Sequence, residues 1–206
     1  MAESRDLGLF PLDLVLLPGE FSGLHIFEPR YRQLLADSVL DDVPFVLGRP
    51  DPESGTRIAC SARFHRLERR HGDGRMDVLV RGEAPVEIAE ETDGRLYFSA
   101  MARTLDDAPG APSEARIAAA REAYAAFVSE VVDHEDHPDP PVDVPLSFAL
   151  ASTLDLASEP KQRLLDTRDE DERLTQLTAI LRAARESVLR ARLAAERAPT
   201  NGKVSH

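Results

Sequence analysis

From residue 58 onward the chain alternates apolar and polar positions with a period of two. Ile58, Cys60, Ala62 and Phe64 alternate with Arg57, Ala59, Ser61, Arg63 and His65. Met76, Val78 and Val80 resume the pattern after Asp73-Gly74. Ala84, Val86 and Ile88 follow Gly82, and Leu96, Phe98 and Ala100 follow Asp93-Gly94. Apolar residues at even positions in successive runs, separated by hairpin-forming Asp-Gly pairs, predict an antiparallel meander with one buried face. Pro85 inside the third run predicts an edge or a bulge there. Upstream, Leu7, Leu9 and Leu12 to Leu17 predict a strand broken by Pro11 and stopped at Pro18-Gly19. Leu24 to Phe27 and Pro44 to Leu47 predict two more strands. Glu28-Pro29 marks a helix start, because proline suits the first helical position. Tyr31, Leu34, Leu35 and Val39 form the apolar stripe of that helix.

After the Pro/Gly-rich stretch 106–114 the period changes. Ser113 is placed to cap a helix with an apolar face of Ile117, Ala120, Tyr124, Phe127, Val128 and Val131. Short helices are expected around Leu146 to Leu154 and after Ser158-Glu159-Pro160. Asp169, with Glu172 three residues on, resembles a capping box. The helix it opens should run to about Arg197. Leu174, Leu177, Leu181, Ala184, Val188, Ala191 and Ala195 lie three and four apart, a heptad-like seam. Its later part is mostly alanine, which buries little area. A monomer, at most in weak exchange with a dimer, is therefore expected. The fold class is α+β: a partly closed antiparallel β-barrel of about seven strands with one embedded helix, then a C-terminal helical bundle ending in a long helix. The expected units are residues 1–108 (barrel), 109–198 (helices) and 199–206 (a disordered tail).

Charge narrows the function classes. The 206 residues carry 25 basic and 37 acidic side chains, a net charge of −12. This argues against nucleic acid as a partner, since phosphate binding needs clustered cations. One cysteine, Cys60, fits a reducing compartment and falls on a buried strand face. No apolar stretch reaches the length of a membrane span, and the acidic N-terminus is no secretory signal. A cytoplasmic location is expected.

Catalytic signatures are absent. There is no GxxxxGK[ST] loop and no GxGxxG. GEFSG at 19–23 puts Ser22 one place off the nucleophile-elbow spacing. The HEDH segment at 134–137 does not have the HExxH spacing that sets two imidazoles on one helix face. His65 and His71 read as exposed polar positions beside a turn. No cofactor and no metal are expected.

The informative segment is LFPLDLVLLPGEFSGLHIFEPRYRQLL, residues 9–35. It gathers His25, Glu28, Arg30, Tyr31 and Arg32 at one strand-to-helix junction. Two readings stand: a binding surface, or a junction where Glu28 or an arginine satisfies loop backbone. FPLDLVLLPG followed by LHIFEPRYRQLL resembles the opening of the Lon-protease N-terminal, substrate-binding domain in its stand-alone form. Gly55-Thr56, the Asp73 to Arg75 hairpin, Val80-Arg81-Gly82, Leu96-Tyr97-Phe98 and EPKQRLLDTRDEDERL at 159–174 follow in the same order, so the likeness covers roughly residues 7–190. After Gly82 the family's basic-aromatic pair is replaced by Glu83-Ala84-Pro85. The resemblance implies a bacterial protein with a PUA-like pseudo-barrel followed by a helical bundle. It also implies a non-enzymatic module that binds unfolded or partner proteins with exposed apolar segments, without ATPase or protease activity of its own. The binding residues expected on this reading are His25, Glu28, Arg30, Arg32 and Gln33. The rival readings are a small-molecule or metal-dependent enzyme using the His25/Glu28/Arg30 junction or the HEDH loop, and RNA binding by the barrel.

Overall fold

A computed structural model of the chain describes residues 4–48, 58–92, 95–131 and 137–197. Six strands and five helices follow in order: β1 (Ser4–Phe10), β2 (Phe21–Ile26), α1 (Pro29–Leu40), β3 (Phe45–Leu47), β4 (Ile58–Arg70), β5 (Met76–Thr92), β6 (Ser99–Thr104), α2 (Glu114–Val131), α3 (Leu146–Ala151), α4 (Ser158–Asp166) and α5 (Glu170–Arg197). Gly55-Thr56, the Asp93-Gly94 turn, most of the HEDH segment and the tail expected to be disordered lie outside the described residues.

The strands order as β2-β5-β4-β3-β1-β6, and β5 also pairs with β6. Five strands thus close into a ring, and β2 attaches to the first half of β5. One pair differs from the expected antiparallel pattern. β1 and β3 run parallel, Leu9 facing Val46 and Phe10 facing Leu47. A parallel pair needs a crossover, and the segment carrying α1 supplies it.

Two of the expected runs are a single strand. β5 passes through Gly82 without stopping, because Gly82 docks on the loop before β2. Gly82 N donates to Glu20 O and Gly19 N donates to Gly82 O, both at 2.9 Å. The register with β4 slips there: Ser61 faces Ala84, and Ala62 faces Gly82. Glu83 is therefore an extra residue, a β-bulge beside Pro85. A one-residue bulge inverts which parity faces which side. Val78 and Val80 join the core under the helices, whereas Val86 and Ile88 join the ring interior. The single buried face expected from the even positions is thus two faces. β4 begins buried on both, Cys60 and Ala62 toward the helices and Ala59 toward the ring interior.

The ring interior is small: Leu7, Leu9, Val46, Ala59, Val86, Ile88, Ala100 and Ala102. The larger core runs from Phe10, Leu16, Leu17, Phe45 and Cys60 into Phe148, Leu164, Leu174 and Leu177, so barrel and helices share it. Burial in α1 follows Tyr31, Leu34, Leu35 and Ser38. Val39 is exposed instead of completing the stripe, because Ser38 faces inward and donates its hydroxyl to Val43 O at 2.5 Å. Near β6 the alternation also breaks: Leu96 and Phe98 are exposed and Tyr97 is buried. Residues 95–98 precede the strand, and the Tyr97 hydroxyl reaches Asp37 Oδ2 at 2.9 Å.

In the helical half, Asp169 caps α5 by accepting from Glu172 N at 2.9 Å. Ser113 turns its hydroxyl to Asp171 Oδ1 (2.9 Å) rather than capping α2. Leu174, Leu177 and Leu181 of α5 are fully buried, Ala184 and Val188 half-buried, and Ala191 and Ala195 exposed, so the seam loses its burial along the helix after Leu181. Two internal ion pairs tie the halves together. Lys161 of α4 meets Glu20 at 2.5 Å, and Glu20 also accepts from Leu17 N. Burial of Glu20 pushes its carboxyl up despite Lys161. Arg173 of α5, with no exposed side-chain surface, binds Asp107 just after β6. No described helix is long and apolar enough to cross a membrane.

Candidate functional site

A cavity lies where β2 hands over to α1. It holds about 620 Å³ and is lined by residues of three segments: Phe10 to Leu14, Gly23 to Tyr31, and Phe98. Local sequence builds it. Glu28 is extended (φ −81°, ψ 133°) and Pro29 begins the helix, so the chain turns sharply at this point. The turn leaves Phe27 outside both the strand and the helix, 62% exposed. Tyr31, the first inward residue of α1, stacks on Phe10 at 4.1 Å and 15° between planes, which makes an aromatic floor. Phe98, 46% exposed, stands at the far wall.

The charged residues sit on this aromatic frame. The Arg30 guanidinium lies over the rings of both Tyr31 (5.0 Å) and Phe98 (5.1 Å), and it pairs with Glu28 at 2.5 Å. Planar, weakly hydrated guanidinium suits such stacking. The Arg30 Nε is buried without a hydrogen-bond partner. His25, directly opposite Asp77 across the β2–β5 pairing, contacts its carboxylate through Nδ1 at 2.5 Å. The hydrogen bonds from His25 and His71 hold the Asp77 carboxyl below its ordinary range.

Among the five residues singled out in the sequence, His25, Glu28 and Arg30 line this groove. Arg32 and Gln33 do not. Arg32 Nη1 donates to Gly74 O (2.9 Å) and ties the β4–β5 hairpin to α1. Gln33 donates to Asp37 one turn along the helix at 2.6 Å. The residues that sequence reasoning missed are Phe98, Gly23, His71 and Asp77. Phe98 read as a buried strand position, and His71 as an exposed one.

The polar side chains of the lining are His25 and the Glu28–Arg30 ion pair, set among aromatic and aliphatic residues. A second cavity of about 250 Å³ lies between the 12–16 loop, the ring and α4, and it includes Cys60 in its lining. Burial drives that thiol far above its ordinary pKa. Of the HEDH segment, His137 alone is described. Its Nε2 lies 2.7 Å from the Tyr124 hydroxyl.

Known proteins share this architecture. A crystal structure of a Lon N-terminal domain protein from Xanthomonas campestris superposes with a TM-score of 0.64 at 22% identity, covering 85% of this chain and 98% of that one. The N-terminal domain of a Mycobacterium avium complex Lon protease gives 0.63 at 18% identity, covering 86% and 98%. These likenesses establish the fold. A search of curated proteins found no match. The family model for the ATP-dependent protease La (LON) substrate-binding domain matches residues 6–183, and the chain belongs to that family.

Proposed function

We propose that this chain is a non-enzymatic protein-binding module whose groove at the β2–α1 junction takes exposed apolar segments of client proteins. The observation that carries the reading is the pairing of exposed Phe27 and Phe98 with a groove of about 620 Å³ floored by Phe10 and Tyr31. Solvent-facing aromatics around a concave surface favour apolar ligands, and each Phe-sized side chain transferred from water gains roughly 1.5–3 kcal/mol. His25, Glu28 and Arg30 form the polar rim that orients the bound segment. Membership in a substrate-binding family supports the same reading. Arg32 and Gln33 fall outside the contact, and Arg32 serves the hairpin instead.

The test separates binding from stability. A Cβ on Gly23 meets nothing within 4 Å. Gly23→Val should therefore fold at least as well as the wild type while narrowing the groove, since glycine inside a strand is unfavourable. Arg30→Ala removes the stacked guanidinium. Binding of a reduced, carboxymethylated, permanently unfolded protein is read by fluorescence anisotropy, alongside melting temperatures. Each variant should weaken binding about fivefold, equivalent to about 1 kcal/mol, with little change in melting. Unaltered affinity in both variants refutes the groove as the client site.

A further inference from the structure

His25, His71 and Asp77 bring three ligand atoms within 4.8 Å of one another. We propose that they form a binding site for a divalent transition cation of the zinc class. This inference does not depend on the groove's occupant.

The scaffold comes first. His25 and Asp77 are direct cross-strand partners on β2 and β5. His71 closes the turn between β4 and β5, where His71 N donates to Arg75 O (2.8 Å) and Gly74 N donates to His71 O (3.0 Å). Gly74 takes φ +87°, the left-handed conformation the turn requires, and Arg32 clamps its carbonyl from α1. Two donors thus stand on paired strands and the third on a pinned hairpin. Sites built on rigid elements hold their geometry better than sites on loops.

The donor geometry fits. His25 Nδ1 lies 2.5 Å from Asp77 Oδ1, and His71 Nε2 lies 2.8 Å from Asp77 Oδ2. Tetrahedral zinc, with bonds of about 2.0–2.2 Å, sets its donors roughly 3.3–3.5 Å apart. Reaching that spacing takes shifts of about an ångström in side chains that are between a quarter and a half exposed. Each imidazole would use the nitrogen that now faces the carboxylate, as the neutral ring that carries its one proton on the other nitrogen. Two imidazoles and one carboxylate select zinc, nickel or copper over calcium and magnesium, which require oxygen ligands. Three protein ligands leave a fourth position for water.

The experiment is titration of the full chain, freed of metal by a chelator, with zinc chloride alone, followed by calorimetry. Cobalt(II) chloride absorbance reports the coordination geometry. One zinc per chain is expected, with a tetrahedral-type cobalt spectrum. His71→Ala and Asp77→Ala should each lower affinity at least about tenfold, since even residues behind the ligands cost 10–100-fold. His65→Ala should change nothing: its ring packs edge-on against Phe21, away from the cluster. Melting curves with chelator present confirm that each variant is folded, and His71→Ala decides the matter because it sits in a turn. Absence of saturable uptake, uptake unchanged in His71→Ala, or an equal loss in His65→Ala overturns the proposal.

Discussion

Replacing Arg173 by methionine should cost the protein about 3 kcal/mol. The side chain has no exposed surface, and its guanidinium is fully engaged. Nη1 donates to Asp107 Oδ1 (2.6 Å) and to Thr167 O (2.8 Å), and Nη2 donates to Asp107 Oδ2 and to Glu170 Oε2 (2.5 Å). Nε donates to Ser147 Oγ and Glu170 Oε2, both at 3.0 Å, and the cation lies 4.4 Å from the Phe148 ring centroid. Methionine keeps the apolar stem against Phe148 but strands two carboxylates. Losing one partner of a buried pair costs about 3–5 kcal/mol. The lower end applies here for two reasons. Asp107 is 29% exposed and can recover water. Glu170, 12% exposed, keeps two donors from Ser147. For a chain of this length, 3 kcal/mol corresponds to a melting shift of about 6–12 °C. Urea titration should show a lower midpoint at an unchanged slope. Adding Asp107→Asn to Arg173→Met should restore part of the loss, and the double-mutant cycle should give a coupling above about 1 kcal/mol. A single-variant loss below about 1 kcal/mol, or a coupling near zero, would show that the buried cluster does not hold the 106–114 stretch against α5.

Two further outcomes follow from local chemistry. Asp171 accepts from Ser113 N (2.7 Å) and the Ser113 hydroxyl, and the backbone hydrogen bond, its largest influence, holds its carboxyl below the ordinary value. A depressed folded-state pKa contributes stability that is present above the unfolded-state value and is lost as pH falls through the folded one. Asp171→Asn should therefore lower melting at neutral pH and flatten its decline below about pH 4; parallel acid limbs in variant and wild type contradict this. Cys60 is fully buried with its thiol pushed far up, so Ellman's reagent should label it only as fast as the protein opens. Labelling at the rate of a free thiol in the native state contradicts that burial.

What was legible in the sequence was what local chemistry decides. Pro29 at the start of α1 and Asp169 capping α5 need only their neighbours, and both elements begin where the sequence places them. The two-residue period located β4 and β5, and the three-four spacing located the packed half of α5. The groove was half legible: His25, Glu28 and Arg30 stand within a few residues of one another, but Phe98 arrives from a distant strand end. Side-chain parity was not legible, because the bulge at Glu83 exists only where Gly82 meets the loop before β2. The partners of Arg173 and of His25 were hidden for the same reason. Asp107 lies 66 residues from Arg173 in sequence, and Asp77 faces His25 only once β2 and β5 are in register.

The bulge makes chain length a structural variable. β5 serves two cores with one strand, and Glu83 is the residue that switches it from one to the other. Deleting Glu83 would remove no core contact of its own. It would instead send Val86 and Ile88 toward the outside of the ring and bring their polar neighbours in, a change of every side chain downstream at once. Inserting a second residue there would do the same. Paired insertions or deletions would restore parity and should be better tolerated. Gly82 limits even these, because a Cβ at that position would stand 2.2 Å from Leu17 O. In this strand, counting residues matters as much as choosing them.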